Sequence, residues 1–321
     1  MKAPFPWMGG KSRVAGMVWQ RFGDVPNYVE PFAGSLAVLL DRPHQPKTET
    51  VNDLDGLICN FWRAVKSSPD AVAHWADNPV SECDLHARHL WLLGVLPTLA
   101  HRLCADPDWH DPKIAGWWVW GLCCWIGTGW CSGDGPWRNV GGLLSKGDAG
   151  RGINRQLPHL GSAGQGINRQ LPIDGIRDLM AELSARLRSV RVAQGDWLRV
   201  CGESVTWKHG LTAVFLDPPY LSHDGAGATY RTDCADVAND VREWAIVNGN
   251  NKLLRIALCG YEGEHAMPAD WQCVEWKARG GYAAQGDGSN VNATRERIWF
   301  SPHCLGSKTP GLWDDLHARK S

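Results

Sequence analysis

The chain has 321 residues, 44% of them hydrophobic and 21% charged, and its 33 Lys and Arg nearly balance 34 Asp and Glu for a formal net charge of -1. These proportions describe an ordinary globular protein, one large domain with an insertion or two domains, and they exclude a disordered chain or a general polyanion binder. No run of about 18 apolar residues is present, and the amino end, MKAPFPWMGGKS, lacks the apolar core of a signal peptide, so a cytoplasmic protein without membrane attachment is expected.

Eleven cysteines is an odd number; only Cys123 and Cys124 are close, and no CxxC or Cys/His array has zinc spacing, so reduced thiols and no metal are expected. The 19 tryptophans are an excess, and Trp117, Trp118, Trp120 and Trp125 crowd one segment. Most serve packing, with one or two left to stack on bases or on a cofactor adenine.

In chain order, residues 12–22 follow a Ser cap with helical spacing of Val14, Met17, Val18 and Phe22, and Tyr28–Glu30 reads as a short strand. The strand opens into PFAGSLAVLL, where Gly34 marks a tight turn and Ala37–Leu40 the first turns of a buried helix. Strand, small-residue loop and helix in that order let a nucleotide approach the backbone closely. Thr50–Val51 is a second strand ended by Asn52, Asp53 and Asp55, before a helix over residues 54–68. An acid at that tip, about 20 residues after the glycine loop, is placed to accept hydrogen bonds from ribose hydroxyls. Asp53 suits that role, and Asp55 suits an Asx cap of the helix.

Residues 81–126 read as mainly helical, with breaks at Pro97 and at DPDWHDPK. From Gly127 to Gly175 the composition shifts to Gly, Asn, Gln, Arg and Pro without a sustained period, and GINRQLP occurs twice, 14 residues apart. Between Gly127 and Arg177, Arg138, Lys146, Arg151, Arg155, Arg169 and Arg177 face Asp134, Asp148 and Asp174, a local net of +3. Such a loop is either plainly solvated or fit to contact phosphates and base edges.

The α/β rhythm then resumes: a helix over 174–188, a strand at Val190–Ala193 ending in Gly195, Asp196 and Trp197, the stretch TAVFLDPPY, a helix over 236–247, and strands at 253–259, 273–276 and 297–300. ARGGYAAQGDGSNVNATRE, between the last two strands, reads as a long loop. Helices alternating with strands predict a doubly wound α/β sheet with ligands at the carboxyl ends of its strands.

TAVFLDPPY ends a strand, Thr212–Leu216, in Asp217, Pro218, Pro219 and Tyr220. Two prolines donate no N–H and restrict φ, so the carbonyls of Asp217 and Pro218 form a fixed row of acceptors. A planar amine can donate to the Asp217 carboxylate and the Pro218 carbonyl while the Tyr220 ring stacks on its base. An Asp-Pro turn is the plainer alternative. GGKS at 9–12 is not a P-loop, because the pattern needs glycine where Phe5 stands and a preceding strand; no GxSxG, HExxH or kinase set is present.

Taken in order, FPWMGGKSRV, VEPFAGSLAVLL, VNDLDG, a long insertion, QGDW and LDPPY resemble the Dam-type, α-class DNA adenine methyltransferases, among which phage and prophage members are unsurprising. The resemblance covers nearly the whole chain. It implies a Rossmann-like S-adenosylmethionine-dependent catalytic domain over 1–62 and 176–321, with a mainly helical and loop target-recognition domain inserted at 63–175. By position, Trp7 and Lys11 would close over the methyl donor, Glu30, Pro31, Phe32, Ala33, Gly34 and Ser35 would form the turn beneath its methionine end, and Asp53 would hold its ribose. Asp196 would accept from the donor's adenine amine beside Trp197. Asp217, Pro218, Pro219 and Tyr220 would hold a flipped adenine.

The same resemblance places Arg138, Asn139, Lys146, Arg151, Asn154, Arg155, Asn168 and Arg169 in the DNA-contacting segment. Double-stranded DNA is the implied partner, S-adenosylhomocysteine the by-product and a monomer or weak dimer the expected assembly, while the choice among host marking, restriction partnership and phage protection stays open. Where the family has a second glycine in FxGxG, this chain has Leu36. The alternatives are amine methylation of cytosine or of an RNA base, and a catalytically silent DNA-binding protein of the same fold.

Overall fold

The computed structural model describes residues 1, 3–7, 9–125, 130–131, 137–140, 143–146, 175–220, 237–276 and 295–306, with 137–140 and 143–146 as backbone only. Nine helices and nine strands are assigned within them: α1 Ala15–Phe22, β1 Asn27–Glu30, α2 Ala37–Leu40, β2 Thr48–Asp53, α3 Gly56–Ser67, α4 Pro69–Ala76, α5 Glu82–Ala105, α6 Pro112–Cys124, β3 Trp137–Val140 and β4 Leu143–Lys146. After these come α7 Gly175–Leu187, β5 Val190–Gln194, α8 Leu198–Cys201, β6 Thr212–Leu216, α9 Val237–Asn248, β7 Leu254–Tyr261, β8 Gln272–Glu275 and β9 Glu296–Phe300.

Seven strands form one sheet in the order β5-β2-β1-β6-β7-β9-β8, and β3 and β4 pair as a separate antiparallel hairpin. β5, β2, β1, β6 and β7 run parallel, while β9 is antiparallel to both of its neighbours. From β1 the chain works outward through β2 to β5, then crosses back to β6 and on to β7. The order therefore reverses between β1 and β6, and an open α/β sheet binds ligands outside the carboxyl ends of its strands at such a point.

Alternation along the strands explains why helices cover both faces. On β6, Ala213 and Phe215 point into one core with Tyr28, Ala257, Cys259, Ile298 and Phe300, while Val214 and Leu216 join Val29, Ile256, Leu258 and Trp299 in the other. The first core is closed by α1 (Val18, Trp19, Phe22), α3 (Ile58, Phe61) and α7 (Leu179, Leu183); the second by α8 (Val200, Cys201) and α9 (Val241, Ala245). All five residues of β6 are buried, as a central strand of a doubly covered sheet must be. Val72 of α4, Leu99 of α5 and Trp118 of α6 belong to the same core as the sheet, so the helices after residue 62 pack onto its helical layer.

Several elements differ from the sequence-based expectation. Ser12 does not cap α1; a turn closed by Val14 N–H donating to the Lys11 carbonyl precedes the helix, whose N-cap is Val14 without a side-chain bond. α2 stops after one turn at Leu40. α5 runs through Pro97 without a break. Pro97 is exposed, and burial of Leu92, Leu99 and Leu103 offsets the roughly 3 kcal/mol that an interior proline costs. The expected break at residues 106–113 is present, because Asp111 starts α6 by accepting from Lys113 N–H at 2.9 Å and Ile114 N–H at 3.0 Å. Asp55 caps α3 through Leu57 N–H at 2.8 Å, as its spacing predicts.

Candidate active site

Four strand tips meet at the switch point. β1 ends at Glu30 and turns through residues 31–35; β2 ends in Asn52 and Asp53; β5 leads to Gly195, Asp196 and Trp197; β6 leads to Asp217–Tyr220. Asn52, expected only as a strand end, ties three of them together: its Nδ2 donates to the Pro31 carbonyl at 3.0 Å and to the Gly195 carbonyl at 2.9 Å. Backbone bonds add to this, with Ala33 N–H on the Asn52 carbonyl at 2.8 Å and Gly195 N–H on the Asp53 carbonyl at 2.9 Å.

The β1 turn depends on two left-handed residues. Gly34 has φ +44°, and a Cβ there would come within 2.6 Å of Trp7 Nε1, so the indole of Trp7 seats directly on the glycine. Leu36 has φ 55° and ψ 29°, the left-handed conformation that glycine enters freely. A leucine pays about 1–2 kcal/mol for that backbone, and full burial of its side chain returns about 2–3 kcal/mol. Where the family pattern has its second glycine, the chain thus keeps the glycine conformation with a core side chain.

Asp53 closes the turn from β2. Its Oδ2 accepts from Gly34 N–H at 3.0 Å and its Oδ1 from Asp55 N–H at 2.9 Å. The side chain is half-buried, and burial, reinforced by the Asp55 charge, lifts its carboxyl from the ordinary 3.8 to about 6 despite those N–H bonds. Each carboxylate oxygen keeps further acceptor capacity, which is the donor-set chemistry that ribose hydroxyls require. Asp196 is exposed, and its Oδ1 accepts from the N–H of Leu198, the first residue of α8, at 2.8 Å. Trp197 is buried, stacked on Phe32 at 6.2 Å and edge-on to Trp244 at 6.3 Å. These tips, together with the Gly34 cradle, suit an adenosine-bearing methyl donor.

On the other side of the switch point, Asp217 and Tyr220 stand in a charged aromatic cluster. Lys11, only 3% exposed, places its Nζ 2.9 Å from Asp217 Oδ1 and 2.7 Å from the Gly9 carbonyl, beside the Tyr220 ring (5.1 Å to its centroid) and the Trp276 ring (5.8 Å). Lys11, which the sequence pattern puts at the donor, has its ammonium at the β6 tip. Tyr220 Oη lies 3.0 Å from Asp217 Oδ1 and 3.0 Å from Glu296 Oε2, and its ring meets Tyr261 edge-on at 4.7 Å. Glu30 is buried against Tyr28 Oη at 2.9 Å, and burial, with Asp217's charge adding to it, raises its carboxyl well above the usual range.

Glu296 escapes a reading of the sequence, which ends the last long loop on it. It opens β9, and the antiparallel pairing Tyr261↔Glu296 brings that residue to the edge where the parallel strands end. The side chains of Arg138, Asn139 and Lys146, on the β3–β4 hairpin, and the whole of Arg151, Asn154, Arg155, Asn168 and Arg169, lie outside the described residues. Among the described residues no cluster of three or more His, Cys, Asp or Glu is arranged to hold a metal ion, and no helix is long and apolar enough to cross a membrane.

Residues 7–81 match the family of D12 class N6 adenine-specific DNA methyltransferases, a span that covers the Trp7–Lys11 segment, the β1 turn and Asp53. No curated protein matches the chain. The match agrees with the mostly parallel seven-stranded sheet and with the DPPY tip at its switch point. Over residues 7–81 the chain thus resembles the D12 class enzymes, and the match supports an S-adenosylmethionine-dependent DNA adenine methyltransferase that leaves S-adenosylhomocysteine.

Proposed function

We propose that the two halves of the switch point divide the reaction between them: the β1, β2 and β5 tips hold the methyl donor, and the β6 tip holds the target base. The observation that carries this reading is the state of Asp217. Lys11 Nζ and Tyr220 Oη both engage Oδ1, so the carboxylate is fixed in orientation while Oδ2 remains for an incoming amine. The exocyclic amine of adenine donates one hydrogen to Asp217 and one to the Pro218 carbonyl, which leaves its lone pair directed at the methyl group. S-adenosylmethionine supplies an already activated sulfonium methyl, so the chain's task is to position the amine and exclude water. An amine inside a duplex is out of reach, and the base is flipped into the pocket at a cost of a few kcal/mol.

Within the donor half, Glu30, Pro31, Phe32, Ala33, Gly34 and Ser35 lie under the methionine end, with Trp7 seated on Gly34. Asp53 takes the ribose hydroxyls, Asp196 the adenine amine, and Trp197 with Phe32 packs beside the ring. Asp53 gives this a pH signature. Its charged form is the better acceptor and predominates above about 6. Donor affinity measured by calorimetry should therefore fall about tenfold between pH 7 and 5, and Asp53→Asn should be flat over that range. Stability of the free chain runs the other way: the folded carboxyl holds its proton more tightly than the unfolded one, so its contribution is present below 3.8 and is lost as pH rises to about 6.

We assign the catalytic domain to 1–62 and 176–321 and target recognition to 63–175 within it, on double-stranded DNA, for a cytoplasmic monomer or weak dimer. The basic composition of the segment around the two GINRQLP copies supports this, with Arg138, Asn139, Lys146, Arg151, Asn154, Arg155, Asn168 and Arg169 as the candidate DNA contacts. Replacing Arg155 and Arg169 together by Ala should lower the slope of log affinity against log salt by about 0.9 for each phosphate that is no longer neutralised; an unchanged slope would remove these two from the interface. The reading as a whole is tested by transfer of a labelled methyl group to duplex DNA with the modified bases mapped. Label on cytosine, or none on DNA, defeats it.

A further inference from the structure

We propose that Glu296 is a positioning residue of the target pocket: its carboxyl group holds the Tyr220 hydroxyl that also bonds Asp217, and thereby sets the ring beside which the adenine is held. The inference rests on the reading of Asp217–Tyr220 as the target pocket and adds a residue far from the family match at 7–81.

The geometry poses a proton-counting problem. Tyr220 Oη lies 3.0 Å from one oxygen of Asp217 and 3.0 Å from one oxygen of Glu296, yet a phenol carries a single hydrogen. Two ionised carboxylates cannot both take it, whereas a proton on one of them makes both contacts hydrogen bonds. Asp217 Oδ1 already receives the Lys11 ammonium at 2.9 Å. Glu296 is 5% exposed, and burial raises its carboxyl above the ordinary value, with Lys11 opposing and Asp217 adding to the rise. A proton on Glu296 satisfies all three groups: Glu296 then donates to Tyr220 Oη, and Tyr220 donates in turn to Asp217 Oδ1. The chain of donors ends on the carboxylate that receives the amine.

The surroundings of Glu296 fit that assignment. Lys11 and Asp217 face it from the amino-terminal segment and the β6 tip, Tyr220 from the same tip, and Tyr261 and Glu264 from the end of β7 and the turn after it. Its neighbour Arg297 pairs with Glu262 at 3.1 Å and Glu275 at 3.5 Å, and its Nη1 donates to the Glu296 backbone carbonyl at 3.0 Å. Loss of the proton would put two charged carboxylates on one hydroxyl, release one side of Tyr220, and place repulsion next to Asp217.

The test uses the full chain with Glu296→Ala, Glu296→Gln, Tyr220→Phe and the Glu296→Ala/Tyr220→Phe double variant, reading kcat and KM for DNA, donor affinity by calorimetry, and kcat from pH 5 to 9. Glu296→Ala is expected to lower kcat/KM for DNA at least tenfold with donor affinity unchanged, and the double variant to lose no more than Tyr220→Phe alone. Glu296→Gln, whose amide donates as the neutral acid does, is expected to recover most of that loss and to lack the decline of kcat that the wild type shows as Glu296 ionises. Wild-type kcat/KM in Glu296→Ala, equal losses in the Ala and Gln variants, or superimposable pH profiles of wild type and Gln variant would overturn the inference. A wild-type chain that moves no methyl group to adenine overturns the underlying reading and this inference with it, whereas an active wild type equalled by Glu296→Ala overturns this inference alone.

Discussion

Asp217→Ala is expected to reduce methyl transfer about a thousandfold, a loss of roughly 4 kcal/mol of transition-state stabilisation. Among the described residues the Asp217 carboxylate is the acceptor that Lys11 and Tyr220 hold fixed at the β6 tip, and its removal takes one of the two acceptors proposed for the amine. The variant also strands the Lys11 ammonium, which is only 3% exposed. Lys11 keeps the Gly9 carbonyl at 2.7 Å and the rings of Tyr220 and Trp276. The cost in stability should therefore stay at about 1–3 kcal/mol, below that of a buried charge left wholly unpaired. Single-turnover transfer of labelled methyl, with donor binding and thermal unfolding measured on the same variant, separates the two effects. Retained transfer at near wild-type rate would remove Asp217 from the chemistry.

Glu49→Ala should produce the largest loss of stability, about 3–5 kcal/mol, read as a shift of the chemical-denaturation midpoint. Glu49 sits on β2 with its side chain fully buried, accepting from Arg42 Nη1 at 3.1 Å and, through both oxygens, from Arg186 at 2.7 and 2.9 Å. Arg42 is equally buried and lies over Trp19, and Arg186 Nη2 also reaches the Leu39 carbonyl. One carboxylate thus joins β2 to the segment after α2 and to α7, 137 residues away in the chain. Removing it leaves two guanidinium groups without their anion in a packed layer, whereas a coordinated replacement of all three by apolar residues of similar volume would be nearly neutral. Because the site lies on the far strand edge from Asp217, remaining folded protein should bind the donor normally. A loss under 1 kcal/mol would show that the three groups are solvated in solution.

The pieces of this enzyme that the sequence by itself determined are those whose physics is local. A strand buried on both faces reads as an apolar run, as in Thr212–Leu216, and a parallel strand ending in polar residues announces a ligand edge; Asp53, Asp196 and Asp217 can each be placed at such a tip from pattern alone. The turn after β1 is equally legible, because left-handed backbone and close approach select small residues, although Leu36 shows that the conformation outlasts the glycine when its side chain can be buried. Pattern misreads α5 at Pro97 because burial of its apolar side, a tertiary quantity, outweighs one lost helix bond on the exposed side. Asn52 looks like a strand end and proves to clamp two neighbouring loops, which needs the β5-β2-β1 order to be known.

Glu296 and Lys11 mark the limit of local reading. Glu296 begins β9, and only the antiparallel reversal of that strand beside β7 brings its first residue to the edge where parallel strands finish. Lys11 follows a glycine pair that patterns with the donor, and the fold of the amino-terminal segment brings its ammonium to Asp217, a contact no local pattern contains. Spacing along the chain sets which residues can share a helix face or a strand tip. Which charges meet across 79 or 206 residues, the separations of Asp217 from Glu296 and from Lys11, is decided by strand order and burial, because only there do desolvation and pairing act together.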